Sequence, residues 1–447
     1  MRYIADLHIH SSFSRATSKA SHLPGLAAWA AVKGIQVVGT GDFTHSGWLG
    51  QIEDNLEEAE PGFFRLKNAD PSAYRDILPE GVWVDSSRIR FVLTAEISSI
   101  YKRGGRVRKV HNILFAPDLG SVKRINATLA GIGNLESDGR PILGLDSRNL
   151  LEILLENAPD GFLVPAHIWT PWFSLFGSKS GFDAIEDCFG DLTSHIFALE
   201  TGLSSDPDMN RLISALDRFS LISNSDCHSP AKLGREANIF NTDFDFFSMR
   251  DALRSPADGQ GNQRFEATVE FYPEEGKYHC DGHRKCKVVL EPSETRKLNG
   301  ICPVCNRPLT VGVLYRVMEL ADRDRPLYPP GSPKVHSLVP LPELLGELLG
   351  VGPATKKVAA AYAGLIRQFG SEFAILLETG IDDLAAAASP ILAEAVQRVR
   401  EGKVIRSAGY DGEFGVIKVF SDRERKSFGG QLNLFGAGTS DAPAKKM

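Results

Sequence analysis

Through residue 250 the chain alternates short apolar runs with longer amphipathic stretches. The runs YIADLHIH, IQVVGTGD, RFVLTAEI, KVHNILFA, FLVPAHI, IFALETG and LISNSDC have the length and β-branched content of strands. Between several of them, LPGLAAWAAVKG, SRNLLEILLENA, GFDAIEDCFG and PDMNRLISALDRF carry helical periodicity. Strands alternating with helices predict a parallel sheet with right-handed crossovers. Seven such units predict a closed or nearly closed β/α barrel over residues 1–265. The pattern then changes twice. Residues 266–330 are turn-rich and contain four cysteines, and residues 331–420 read as a helical domain. Residues 421–447 end in Gly, Ala, Ser, Thr, Pro and Lys around one apolar burst, QLNLF.

The totals fit this division. A chain of 447 residues is too long for one core. With 43% hydrophobic and 24% charged residues it has ordinary globular composition. The net charge of −6 excludes a general polycation but leaves room for local basic patches. No apolar run reaches the ~18–20 residues of a membrane span, and the N-terminus enters a strand without a leader-like stretch. A cytoplasmic protein is expected.

The polar residues of the seven runs lie mostly at their C-terminal ends. They are His8 and His10, Asp42, Glu96, His111, His167, Glu200, and Asp226 with His228. The C-terminal rim is where a β/α barrel builds its active site. Residues i and i+2 of a strand share a face, so His8/His10 and Asp226/His228 each converge. A single strand-end histidine is more often a satisfied polar residue than a ligand. Two such pairs with several single imidazoles and carboxylates point instead to a site for two or three divalent ions, Zn, Mn or Mg. Paired ions of that kind lower the pKa of water and clamp a phosphoryl group. Glu200 fits a ligand less well and reads also as a rim hydrogen-bonding group.

DLHIH, the glutamate of TAEI, the histidine of PAH and SDCH resemble the PHP (polymerase and histidinol phosphatase) metallophosphoesterases. The resemblance implies a distorted seven-stranded β/α barrel with up to three metal ions. It also implies His8, His10, Glu96, His111, His167, Asp226 and His228 as ligands. Asp42 stands in TGDFTH where many members have a histidine, and a further family histidine is replaced by the SSFSRATSK stretch. A third ion would then depend on Asp42 and His228, with water or with His45.

The second segment places Cys280, Cys286, Cys302 and Cys305 as C-x5-C followed by C-x2-C. This spacing predicts a closed structural zinc site, with His279 and His283 as competing ligands for its first half. Residues 276–330 hold ten Lys/Arg against six Asp/Glu, which suits a nucleic-acid backbone. In the third segment, LPELLGELLGVGPATKKVAAAYAGLIRQFG resembles a helix-hairpin-helix. Backbone N–H groups around Gly350 and Gly352, with Lys356 and Lys357, would hold a DNA phosphate. The alternative is a helical hairpin used only for packing. The loop YKRGGRVRK, with Lys102, Arg103 and Arg106, would steer a polyanion to the rim. Trp169 and Trp172 are candidates to stack on an extruded base, although packing beneath a loop is the commoner fate.

Barrel, cysteine module and hairpin in this order resemble the endonuclease Q branch of the PHP family. That likeness implies hydrolysis of DNA on the 5′ side of a deaminated base (uracil, hypoxanthine, xanthine) or an abasic site, leaving 3′-hydroxyl and 5′-phosphate ends. A phosphatase of small phosphomonoesters and a non-catalytic DNA or clamp adaptor are the alternatives. QLNLF resembles the bacterial sliding-clamp-binding peptide, with Gln431, Leu432, Leu434 and Phe435 as its contacts, on a tail expected to be disordered.

Overall fold

A computed structural model describes residues 1–427. QLNLF lies outside the described residues. The chain divides into two compact units. The first comprises Met1–Leu78, Val84–His336 and Ser407–Val416. The second holds Pro79–Trp83, Ser337–Arg406 and the described residues from Ile417. The cysteine-bearing segment therefore belongs to the same unit as the seven predicted strands. Among the described residues no helix is long and apolar enough to cross a membrane.

The first unit is mixed α/β around a central sheet. All seven predicted runs contribute strands: β1 (Arg2–Asp6), β2 (Val37–Gly39), β3 (Arg90–Arg103), β4 (Arg106–Ala116), β5 (Phe162–Pro165), β6 (Ala198–Glu200) and β7 (Ser220–Ile222). β1, β2 and β3 pair in parallel, as do β6 and β7. β4, however, is antiparallel to both β3 and β5. This departs from the all-parallel expectation, because β3 and β4 are joined by a two-glycine turn with no crossover helix between them. Gly104 (φ 60°) and Gly105 (φ 73°) take the left-handed conformation that such a tight hairpin requires. Two further strands, β8 (Ala237–Asn241) and β9 (Phe265–Glu270), extend the sheet antiparallel from β1.

Single hydrogen bonds link the remaining strand ends. Ile168 N donates to Glu200 O (3.1 Å), joining the end of β5 to β6. Past the end of β1, His10 N donates to Cys227 O (3.0 Å), beside a parallel bridge from Ile9 to Cys227. The ends of β1, β2, β5, β6 and β7 and the middle of the β3–β4 hairpin are thus drawn toward one region.

Helix α1 (Leu23–Lys33) fulfils the sequence expectation. The His22 side chain accepts from Gly25 N at its start, and Gly34 (φ 87°) closes it by donating to Ala30 O. Helix α2 (Ser147–Asn157) likewise forms as expected, capped by Asp146. GFDAIEDCFG and PDMNRLISALDRF form only short helices, α3 (Ile185–Phe189) and a single turn at Pro207–Asn210. In the latter, buried Arg211 donates to Leu216 O (2.7 Å) and Phe219 O (3.0 Å), giving the non-helical carbonyls a partner. Under the sheet lies a core that includes Phe115, Phe162, Phe240, Phe246 and Phe265. The Phe115 and Phe162 rings stack at 4.2 Å.

In the second unit, α4 (Leu341–Leu349) and α5 (Lys356–Phe369) form the expected helical hairpin. Gly350 (φ 67°) ends the first helix in the left-handed conformation. Thr355 precedes the second without a side-chain cap, and Gly352, Lys356 and Lys357 are exposed.

Phe162→Ala removes a buried ring from the middle of the first unit's core. It should cost about 3–5 kcal/mol, read as a lowered denaturation midpoint by near-ultraviolet circular dichroism.

Candidate metal centre

Two clusters of ligand-type side chains share one carboxylate. His8, His10, Glu96 and Asp226 form the first, and Glu96, His111 and His167 the second. Strand register explains the sharing. Glu96 lies opposite Ile113 in the β3–β4 hairpin, and His111 lies opposite Ser98, two residues on. One hairpin therefore brings both residues to the same point. Glu96 Oε2 lies 3.1 Å from His10 Nε2 and 3.5 Å from His8 Nε2. Its Oε1 lies 2.5 Å from His111 Nδ1 and 3.1 Å from His167 Nε2. Each carboxylate oxygen serves one cluster.

The donor set suits a cation. His8 Nε2, His10 Nε2 and Asp226 Oδ1 are buried without a hydrogen-bond partner. Asp226 Oδ1 nevertheless lies 3.2 Å from His10 Nε2 and 3.8 Å from His8 Nε2. Buried polar atoms without partners are costly. Their convergence has a simple physical reason if a divalent ion satisfies all of them. The titration tendencies agree. Burial works against charge on His8 and His10, but Glu200, Glu96, Asp226 and Asp42 outweigh it and hold both well above their usual values. Burial also works against the Glu96 charge, yet His111, Arg140 and His8 hold it well below the usual carboxylate range. His111 itself is pushed down to about 4, chiefly by burial. The cluster carries concentrated negative charge that needs positive compensation.

Asp42 does not join either cluster. One of its oxygens takes His10 Nδ1 (3.0 Å), and the other accepts from Ser11 N (2.7 Å), Ser11 Oγ (2.6 Å) and Ser14 Oγ (2.9 Å). With both oxygens engaged, Asp42 orients His10 and leaves Nε2 facing the cluster. Glu200 does the same for His8: it lies 3.0 Å from Nδ1 and also accepts from His167 N (2.8 Å) and Asn224 Nδ2 (2.9 Å). His228 stands beside His10, with ring centroids 4.5 Å apart, and its Nδ1 lies 3.0 Å from Asp226 O. It is outside both clusters. His45 caps a helix by accepting from Gly47 N.

Three of these residues sit in the left-handed region without being glycine: Asp42 (φ 52°), His167 (φ 30°) and Asp226 (φ 45°). Each lies just past a strand end, where the backbone turns to present its side chain. Gly202 packs against His167, and a Cβ there would stand 2.5 Å from the His167 Cβ.

Arg140 was not anticipated from sequence. Its Nη1 donates to Glu96 Oε2 (3.0 Å). Nothing marks it in the chain, because it lies in a loop away from the strand-end pattern.

A cavity of about 290 Å³ adjoins the centre. His167 and Asp226 line it on one side, and Ser204, Tyr278, His279 and Phe414 on others. Trp169 is not in this lining. It is 1% exposed, packs on Phe176, and donates through Nε1 to Asn210 (2.8 Å), so stacking on an extruded base is ruled out by burial. Trp172 is exposed. Lys109 Nζ lies 5.3 Å from its ring centroid. The basic stretch is the tip of the β3–β4 hairpin. There Lys102 and Arg106 are exposed, whereas Arg103 donates to Cys188 O (2.5 Å).

In the cysteine segment the gathered group is His283, Cys286, Cys302 and Cys305. The first half of the four-cysteine expectation is corrected here, with His283 standing in place of Cys280. The reason is strand geometry. Asp281–His283 is a strand, and positions three apart face opposite sides of it. Cys280 turns into the interior, where its N donates to Gly409 O (2.9 Å). Burial pushes its thiol up to about 12. The corrected pattern is H-x2-C then C-x2-C, two equal knuckles, with Cys305 Sγ 3.3 Å from His283 Nδ1. The Cys302 thiol is drawn down to about 6. Burial opposes this, but the amides of Val304 and Cys305 and the His283 ring outweigh it.

Zinc content distinguishes the two ligand sets. If the gathered group holds zinc, Cys280→Ser should retain it, whereas His283→Ala and Cys305→Ser should each lose it, as measured by elemental analysis of the purified chain.

Residues 340–403 match the family model described as the MJ0043 C-terminal domain. The uncharacterized protein MJ0043 of Methanocaldococcus jannaschii is 34% identical over 251 residues. That match spans 56% of this chain but only 31% of the relative. The uncharacterized protein YqxK of Bacillus subtilis is 28% identical over 430 residues, 93% of this chain and 98% of that protein. Among solved structures, the lesion-specific endonuclease PfuEndoQ from Pyrococcus furiosus is similar with a TM-score of 0.80 and 31% identity. The similarity covers 96% of this chain and 99% of that one. A complex of Endonuclease Q with a 27-mer duplex substrate bearing an abasic lesion at its active site gives a TM-score of 0.78 at 31% identity, covering 97% and 100%. With likeness of this degree along essentially the whole of both chains, the chain belongs to the endonuclease Q family of lesion-specific nucleases.

Proposed function

We propose that this chain is a metal-dependent DNA repair endonuclease that cuts on the 5′ side of a deaminated base or an abasic site. Uracil, hypoxanthine and xanthine are its base lesions, and 3′-hydroxyl and 5′-phosphate ends its products. The observation that carries the reading is the pair of clusters bridged by Glu96, set beside a cavity of about 290 Å³. That volume lies just under the ~300–1,000 Å³ range of drug-sized ligand pockets. It suits one nucleobase turned out of the duplex, so that the scissile phosphate is carried to the adjoining centre.

The roles follow from position. His8, His10, Glu96 and Asp226 would hold one divalent ion, and Glu96, His111 and His167 would hold a second. His228 and Asp42 support this set, with Asp42 and Glu200 fixing the ring orientation of His10 and His8. Divalent ions bound there would supply an activated water and charge stabilisation for the phosphoryl oxygens. Trp172, exposed and next in the chain to Pro171 of the cavity lining, serves as a stacking surface. Lys102 and Arg106 on the hairpin tip attract the duplex backbone. Glycines 350 and 352 with Lys356 and Lys357 hold a phosphate at the start of α5. In this reading the barrel spans 1–265, the zinc module 266–330 and the hairpin domain 331–420. Gln431, Leu432, Leu434 and Phe435 bind a sliding clamp on the strength of their sequence alone. The protein works as a cytoplasmic, nucleoid-associated monomer.

Duplexes with one uracil, hypoxanthine or abasic site should be nicked once, 5′ to the lesion, and undamaged duplex left intact. His8→Ala should abolish nicking while DNA affinity stays within about twofold, an expectation from the separation of phosphate contacts and chemistry. Release of free phosphate from a small monoester with all lesion duplexes intact would overturn the reading. Separately, Lys356→Ala with Lys357→Ala should weaken binding to every duplex alike. It should also reduce the slope of log affinity against log salt by about two.

A further inference from the structure

The loop before a short strand, Ile142–Leu143, enters the centre from a direction that the strand-end pattern does not cover. Ile142 and Leu143 pair in parallel with Ser98 and Ser99 of β3, and Ser98 N donates to Pro141 O (3.0 Å). This fixes the backbone of residue 140 next to the stretch of β3 that carries Glu96. On its other side the loop is pinned to the segment following β1. Gly139 N donates to Phe13 O (3.1 Å), and Asp138 Oδ1 accepts from Arg15 N (3.3 Å) and Arg140 N (3.2 Å). Gly139 makes the approach possible. A Cβ there would stand 2.4 Å from both Asp42 Oδ2 and Ser14 Oγ. The loop is thus built to bring one residue, Arg140, against the metal centre.

Arg140 differs from its neighbours in exposure. The Glu96 side chain is 0% exposed, whereas that of Arg140 is 32% exposed. Among the described residues its guanidinium hydrogen-bonds to Glu96 alone, although it has five N–H donors in a rigid fork. As a mere support for Glu96 this placement is poor. The guanidinium occupies the same oxygen, Oε2, that faces His8 and His10, and its positive charge repels cations held there. An anion reaching the centre from the open side removes that conflict, because it can accept from the free donors of the fork while facing the metal ligands.

We propose that Arg140 is a further catalytic residue, whose guanidinium holds a non-bridging oxygen of the scissile phosphate beside Glu96. The inference rests on the nuclease reading for the identity of that phosphate, but not for the presence of an anion site. Such a contact strengthens as charge builds on the phosphoryl oxygens, so it contributes to the rate more than to binding of the whole duplex.

The test uses the full chain with Arg140→Gln and Arg140→Lys, each checked for metal content. Inorganic phosphate titrated calorimetrically into the metal-loaded protein should bind Arg140→Gln about tenfold or more weakly than the unaltered chain. Metal content should be equal. Single-turnover nicking of an abasic duplex should fall roughly 100-fold, with duplex affinity little changed. Arg140→Lys should recover phosphate binding more than rate, since it keeps the charge and loses the fork. Unchanged phosphate affinity in Arg140→Gln would overturn the proposal. So would a loss of bound metal in step with the loss of phosphate, which would make Arg140 a support for Glu96. If phosphate binding responds as expected but the unaltered chain nicks no lesion duplex, the anion site stands and the nuclease reading fails.

Discussion

Removing a carboxylate from water is expensive unless positive charge or donors surround it, and Glu96 lies wholly inside the first unit. It is tolerated because four histidines and one arginine converge on its two oxygens. Those partners come from the extension of β1, from β4, from the end of β5 and from the loop before residue 142. Each must therefore be held between 2.5 and 3.5 Å from one buried group. The long β3–β4 hairpin, the closing bond from His10 to Cys227 and the link from Ile168 to Glu200 all serve that convergence. The antiparallel turn at residues 104–105, which broke the parallel expectation, is what allows His111 and Glu96 to face one another.

The second layer of carboxylates is as ordered as the first. Asp42 and Glu200 each engage the Nδ1 of one histidine from the same strand, leaving both Nε2 atoms turned inward. Glu200 is in turn held by Asn224, whose Oδ1 accepts from Leu7 N (2.8 Å) and from Asn238. Ring orientation at the centre is thus tied to amide hydrogen bonds of the sheet itself. Polar groups at this depth are structural in the sense that they fill each other's hydrogen-bonding capacity.

Much of this was legible in the chain. The seven apolar runs all became strands, and seven of the residues at their ends, with His111, make up the two clusters or orient their histidines. Alternation of side chains on a strand is a local rule, and it worked for His8 and His10. The same rule, applied to Cys280 and His283, would have chosen between them had the strand at 281–283 been recognised. Cysteine spacing alone pointed the other way. Asp42 looked like a ligand because sequence gives residue type and place but not what the oxygens already bond. Trp169 looked available for the same reason. Arg140 was invisible, since its position depends on a pairing between residues 98 and 142 and on the missing side chain at Gly139.

The left-handed backbone at Asp42, His167 and Asp226 has a consequence for how such a centre can change over time. Each of these conformations costs about 1–3 kcal/mol in a residue with a side chain. Glycine would relieve the strain at all three positions while erasing an orienting carboxylate or a ligand. A lineage under pressure for heat resistance alone would therefore be drawn toward sequences that keep this scaffold and lose its chemistry. In this chain Asp, His and Asp occupy those places, so the chemistry of the centre, not local backbone ease, sets the conformation there.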